Sequence, residues 1–112
     1  IDDLNNVDLS NLTFVLLLTC KTGKNYNPSN ITNNTPVNIV EKMVICGAET
    51  VIGFSDKTYV NDFNLFAPAI TSKLVNEGLS VEDAIADIDY SSYRKDMSAI
   101  CVIAGNRNNK LR

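Results

Sequence analysis

The sequence has 112 residues, of which 45% are hydrophobic and 21% charged, and its formal net charge is -3. This length and composition predict one globular unit that covers residues 1–112. The negative charge argues against a nucleic-acid partner, and no apolar run approaches the roughly 20 residues of a membrane-spanning helix. A basic polypeptide segment would suit the acidic surface better.

The strongest apolar run, from Leu12 to Leu18, follows a polar lead-in of residues 1–11. The run shows no alternation of apolar and polar side chains, which predicts a strand buried on both faces, as in a parallel sheet. Thr19, Cys20 and Lys21 come directly after it. Ligands of open α/β sheets bind beyond the carboxyl ends of the strands, so this exit is the best position for chemistry.

Residues 24–34 are rich in asparagine, and they predict an exposed loop next to Cys20. A helix is predicted after this loop. Thr35 can cap its start, Pro36 suits its first position because it loses no hydrogen bond there, and Gly47 suits the position just past its end. We expect this helix to cover the sheet.

The second buried strand is predicted over residues 50–54, and its polar exit carries Asp56. A second helix follows, capped by Asn61 or Asn64. Pro68 falls inside its apolar pattern, and an interior proline costs about 3 kcal/mol. The proline therefore either kinks the helix or marks its first turn, and the boundary stays open.

A shorter helix is predicted from Ser80, which can form a capping box with Asp83, through Ile88. Residues 90–97 then form a polar loop, residues 98–104 a third apolar strand, and the rest a basic tail. This order predicts a doubly wound α/β sheet. Three strands are few for such a sheet and leave one edge bare, so we expect an N-terminal part with further strands.

The three cysteines have different settings. Cys46 and Cys101 lie in apolar stretches and are predicted to be packed thiols, whereas Cys20 has polar neighbours. The sequence contains no histidine. The chain therefore holds no complete Cys-His dyad, and the composition argues against a zinc site of the Cys/His kind; no metal or cofactor is predicted.

Three segments resemble, in order, parts of the caspase-like cysteine peptidases, the clan of clostripain, gingipain, separase and the CHAT domains. The apolar strand that ends in Cys20, followed by Lys21-Thr22-Gly23, resembles the strand of the catalytic cysteine. Residues 47–56, GAETVIGFSD, resemble the next strand. Residues 74–85, LVNEGLSVEDAI, resemble a helix-Gly-helix segment beyond it.

The resemblance implies an α/β fold, a three-layer sandwich around a mostly parallel sheet, with the N-terminal strands absent from this chain. It implies a cysteine endopeptidase whose nucleophile is Cys20 and whose substrate contacts include Lys21 and Thr22. Asp56 resembles the acidic residue that receives a basic P1 side chain in separase, and Asp62 is the second choice. Lys21 and Lys24 would make the surroundings of the thiol electropositive.

The implied partners are a protein or peptide substrate and the N-terminal part of the same precursor, which would supply the catalytic histidine from a His-Gly pair. Clostripain-like enzymes are cut between these two parts. The alternative is a non-catalytic caspase-like or flavodoxin-like binding or regulatory module, in which Cys20 is structural. The compartment stays open between a secreted or cell-surface bacterial location and the cytoplasm.

Overall fold

One strand, Thr50–Phe54, is buried at every position and lies between two others. The computed structural model describes residues 4–112 and has an α/β architecture, which confirms the predicted class. Its elements in chain order are β1 (Val15–Leu16), α1 (Pro28–Thr32), α2 (Ile39–Ile45), β2 (Thr50–Phe54), α3 (Val60–Val75), α4 (Val81–Asp87), α5 (Met97–Ile100) and β3 (Cys101–Gly105).

The sheet is mixed, with the order β1-β2-β3. β1 runs parallel to β2, with Val15 opposite Val51, whereas β3 runs antiparallel to β2, with Cys101 opposite Phe54. Within residues 4–112 the sheet therefore has one parallel and one antiparallel pair of strands, where the sequence predicted a mostly parallel sheet. The short α5 ends beside the carboxyl end of β2, where Cys101 pairs with Phe54. A strand that starts at this end can only run antiparallel to β2.

Side chains on the two faces of the sheet enter two separate cores, because successive residues of a strand point to opposite sides. On one face, Ile52, Phe54 and Ile103 pack against the buried residues of α3 and α4. On the other face, Val51 and Ala104 pack against α2. Helices thus cover both faces of the sheet.

The predicted first strand differs most from its expectation. Only Val15 and Leu16 are strand residues, and both are half-buried, because β1 lies at the edge of the sheet. The lack of alternation in the sequence still has a structural meaning. Phe14, Leu16 and Leu18 contact the core of α3 and α4, while Val15 and Leu17 contact the core of α2.

A helix was not predicted in the asparagine-rich segment, but α1 forms there, and the side chain of Asn27 caps it by accepting the Ser29 N–H at 3.0 Å. α2 begins at Ile39, later than predicted. Its cap is Asn38, whose side chain accepts the Glu41 N–H at 2.8 Å, and not Thr35. Asparagine caps as well as threonine does, so the local signal could not choose between them.

Glu41 explains why this segment is ordered. Its side chain is 0% exposed, and no cation pairs with it among the ion pairs of residues 4–112. One oxygen accepts the backbone N–H of Asn27 at 2.8 Å and the Asn30 amide at 3.0 Å, and the other accepts the Val37 N–H at 2.8 Å. The carboxylate therefore joins α2 to the first part of α1 and to the segment that leads from α1 into α2.

The remaining helices follow the sequence more closely. α3 begins at Val60, without a side-chain cap from Asn61 or Asn64, and it contains Pro68. The predicted cap of α4 is confirmed, because the Ser80 hydroxyl accepts the Asp83 N–H at 3.2 Å. The predicted third strand begins later than expected, since its first residues form α5.

The C-terminal tail is packed and not merely polar. The Asn109 amide donates to the Thr13 carbonyl at 2.7 Å and to the Thr50 hydroxyl at 3.1 Å, so it joins the starts of β1 and β2. The first three residues of the predicted lead-in lie outside the described residues. Within residues 4–112, no helix combines the length and the apolar character that crossing a membrane requires.

We expect Glu41→Gln to lower the free energy of unfolding by about 1–3 kcal/mol, because an amide NH₂ would face backbone donors that the carboxylate now accepts. Urea unfolding followed by circular dichroism measures the change. Glu49→Gln is the matched control, since it removes the same charge from an exposed side chain. Equal destabilisation by both variants would contradict the anchoring role.

Candidate functional site

The exits of β1 and β2 meet at Cys20 and Thr58. The Cys20 thiol is exposed, and its sulfur accepts the Thr58 N–H at 3.2 Å and donates to the Thr58 carbonyl at 3.5 Å. Both residues follow the carboxyl ends of parallel strands, which is where open α/β sheets collect their functional groups.

Backbone hydrogen bonding of β2 brings the Cys20 turn to this position. The Phe54 N–H donates to the Thr22 hydroxyl at 3.0 Å, and the Phe54 carbonyl accepts the Gly23 N–H at 2.9 Å. A Cβ on Gly53 would lie 2.7 Å from the same hydroxyl, so glycine leaves room for it. Thr22, predicted to contact substrate, here completes the hydrogen bonding of the buried strand.

Lys21 has a left-handed backbone, with φ of 63°. This conformation is uncommon for residues other than glycine and asparagine, and it costs on the order of 1 kcal/mol in a residue with a Cβ. The strain lies directly after Cys20. Residues in such conformations cluster at functional sites, where the surrounding structure holds them in place.

Asp56 lies in the same group of side chains. Its carboxylate is 60% exposed, accepts the Lys57 N–H at 2.7 Å and lies 3.6 Å from the Lys95 ammonium. The Lys57 N–H, and then the charge of Lys95, lower the pKa of Asp56 below its usual value, with a smaller effect from Lys21. Asp56, Lys57, Thr58, Tyr59 and Lys95 line a pocket of about 470 Å³.

Asp62, the second predicted carboxylate, is 1% exposed. Its two oxygens accept the backbone N–H groups of Arg94 and Lys95, each at 3.0 Å. The carboxylate is therefore engaged inside the protein, where it holds the turn before α5. This arrangement favours Asp56 over Asp62 as the carboxylate that an external cation can reach.

Sequence reasoning did not identify three residues of this site. The Thr58 hydroxyl is buried without a hydrogen-bond partner among residues 4–112, Lys95 contacts Asp56, and Arg94 lies over the Tyr59 ring at 4.8 Å. Thr58 could have been noted because it follows the second strand exit closely. Nothing in the sequence connects Arg94 and Lys95 with a strand exit more than 30 residues away.

The other two cysteines are half-buried, and none of the three forms a disulfide. The Cys46 thiol donates to the Leu4 carbonyl at 3.3 Å. Burial raises the pKa of the Cys101 thiol to about 12. Within the described part of the chain, no cluster of three or more His, Cys, Asp or Glu side chains could hold a metal ion.

Comparison with family models, with curated proteins and with solved structures gives no match to this chain. Cys20, Thr58, Asp56 and Lys95 form the group that we call the strand-exit site.

We expect iodoacetamide to alkylate Cys20 before Cys101 in the folded protein, because Cys20 is exposed while burial and the raised pKa keep the Cys101 thiolate scarce. A time course of peptide mass spectrometry measures the three rates. In denaturant, which removes burial, the difference should vanish. Equal rates for Cys20 and Cys101 in the native protein would contradict this expectation.

We expect Lys21→Gly to be about 1 kcal/mol more stable than Lys21→Ala, since only the glycine adopts the left-handed backbone without a Cβ penalty. Both variants lose the same charge, so their thermal unfolding midpoints isolate the backbone effect. A reversed order of stability would show that Lys21 is not held in this conformation in solution.

Proposed function

We propose that the chain is the cysteine-bearing part of a caspase-like cysteine endopeptidase, a three-layer sandwich that cleaves after a basic P1 residue. One observation carries the proposal. The exposed Cys20 thiol follows the carboxyl end of one parallel strand, and the exposed Asp56 follows the carboxyl end of its neighbour. A nucleophile and a specificity carboxylate would need this arrangement.

The position of β1 supports a missing strand. The Leu17 N–H donates to the Ile52 carbonyl at 2.9 Å, so by alternation the backbone groups of Leu16 point away from β2. No strand within residues 4–112 pairs there. The caspase-like resemblance requires a further strand before the cysteine strand, followed by the catalytic histidine. A parallel strand beside β1 would bring that histidine to the same end of the sheet as Cys20.

The chemistry follows from the thiol. The Cys20 thiolate would attack the scissile carbonyl carbon, and the Cys20 N–H would donate to the oxyanion together with the glycine N–H of the His-Gly pair. The C–N bond would then break, with a proton passing from the histidine to the leaving amine. Water would hydrolyse the thioester and regenerate the thiol. In this scheme Asp56 would receive the basic P1 side chain.

A second candidate is a non-catalytic binding or regulatory module. The observation that favours it is the pair of hydrogen bonds between the Cys20 sulfur and the backbone of Thr58, which gives the thiol a purely structural use. The chain itself contains no histidine. In this alternative, the strand-exit site binds a partner without chemistry.

An activity-based probe separates the two candidates. We expect a peptidyl acyloxymethyl ketone with P1 arginine to label Cys20 when the chain is expressed together with the sequence that precedes it in its precursor. The label should be absent from Cys20→Ala and retained in Cys46→Ala, which is the matched control. Tryptic mass spectrometry identifies the labelled residue.

The same probe with P1 aspartate tests the specificity, because Asp56 would repel it. If the labelling does not prefer arginine over aspartate, the proposed role of Asp56 in specificity is wrong, while the role of Cys20 as nucleophile stands. If Cys20 reacts no faster than Cys46 and Cys101 with the upstream sequence present, the peptidase proposal fails and the binding module is the better description.

A further inference from the structure

Two adjacent cations from the turn before α5 reach across to the loop that follows β2. The Arg94 guanidinium lies 4.8 Å from the centre of the Tyr59 ring. The Lys95 ammonium donates to the Lys57 carbonyl at 2.6 Å and lies 3.6 Å from the Asp56 carboxylate. The turn therefore closes over one wall of the pocket that Asp56 lines.

A buried residue fixes the backbone of this turn, so the contacts of Arg94 and Lys95 do not depend on their side chains alone. The buried Asp62 carboxylate accepts the N–H groups of both Arg94 and Lys95. Asp62 belongs to the first turn of α3, which packs against the sheet. The backbone at Lys95 thus has a defined position, and its side chain extends from there to Asp56.

The partners of the Lys95 ammonium are a carboxylate and a backbone carbonyl, and these are the acceptors that an incoming basic side chain would use at Asp56. The carboxylate also accepts the Lys57 N–H. An external ammonium or guanidinium at Asp56 would therefore meet Lys95 as a competitor, and also as a like charge at short range.

We propose that Lys95 is an internal occupant of the Asp56 pocket and sets the affinity of this pocket for basic side chains. The inference rests on the proposed function, in which Asp56 receives a basic P1 residue. A ligand enters by displacing the Lys95 ammonium from Asp56, while the Asp62 contacts keep the backbone of the turn in place. Lys95 acts as a specificity-determining residue because it weakens binding of every basic ligand.

The contact is weak enough to be displaced. The Lys95 side chain is 32% exposed and that of Asp56 60%, and exposed ion pairs change an equilibrium constant by about fivefold at most. Removing the ammonium should therefore strengthen ligand binding by a small, measurable factor and leave the fold intact.

The test compares Lys95→Met with Lys57→Met in the 112-residue chain. Both variants remove one positive charge from the wall of the same pocket, but only Lys95 forms an ion pair with Asp56. The ligand is N-acetyl-arginine methylamide, and its uncharged isostere N-acetyl-citrulline methylamide is the ligand control. Titrations followed by NMR shifts of the backbone amides at positions 57 and 58 give the dissociation constants.

We expect Lys95→Met to bind the arginine ligand about threefold more tightly than the wild type does. Lys57→Met should change the affinity by less than Lys95→Met, and Lys95→Arg, which keeps the cation, should show no gain. The citrulline ligand should not distinguish Lys95→Met from the wild type. Preserved amide shifts away from the pocket check that each variant is folded.

Equal gains from Lys95→Met and Lys57→Met would reduce the effect to general electrostatics and overturn the proposal. So would the absence of arginine binding to Lys95→Met, because a vacated pocket should accept the ligand. These results are independent of the thiol. If the probe fails to label Cys20 while Lys95→Met gains affinity, the peptidase proposal fails and the role of Lys95 in a cation pocket stands.

Discussion

The structure depends on the need of one buried strand to have all its peptide groups hydrogen-bonded. β2 lies between two strands and under helices on both faces, so none of its N–H or C=O groups can use water instead. β1 has only two residues, so it cannot supply hydrogen-bond partners along the full length of β2. At Phe54 the Thr22 hydroxyl and the Gly23 N–H supply the hydrogen-bond partners instead. These two bonds hold the Cys20 turn against the loop that carries Thr58.

Two buried carboxylates order the segments that connect the helices. Glu41 accepts the N–H of Asn27, which caps α1, and the N–H of Val37, which precedes α2, and Asp62 accepts two successive N–H groups of the turn before α5. In each case the carboxyl oxygens replace the water that these backbone N–H groups would otherwise bind. The backbone position of Lys95 thus follows from the buried carboxylate of Asp62.

The parts predicted correctly from the sequence are those that local chemistry determines. The second strand, the Ser80 cap and the glycine after α2 each depend on a few neighbouring residues. The predictions about β1 and β3 were less accurate because strand position and direction depend on partners far along the chain. An apolar run looks the same in a central strand and in an edge strand that contacts two cores. Asp62 was the second choice for the carboxylate that receives a basic P1 side chain, and its engagement with Arg94 could not be predicted because that residue lies more than 30 positions away.

The two candidate functions place different requirements on a strand that pairs with the free edge of β1. Its side chains already contact both cores but stay half-exposed, so a strand added beside it would extend both cores at once. A binding module would gain stability from such a strand and would place no condition on where its last residue lies. A peptidase needs more, because the strand must run parallel to β1 for the residue after it to reach Cys20. Parallel pairing at this edge therefore separates the two functions, because stabilisation alone requires no particular direction.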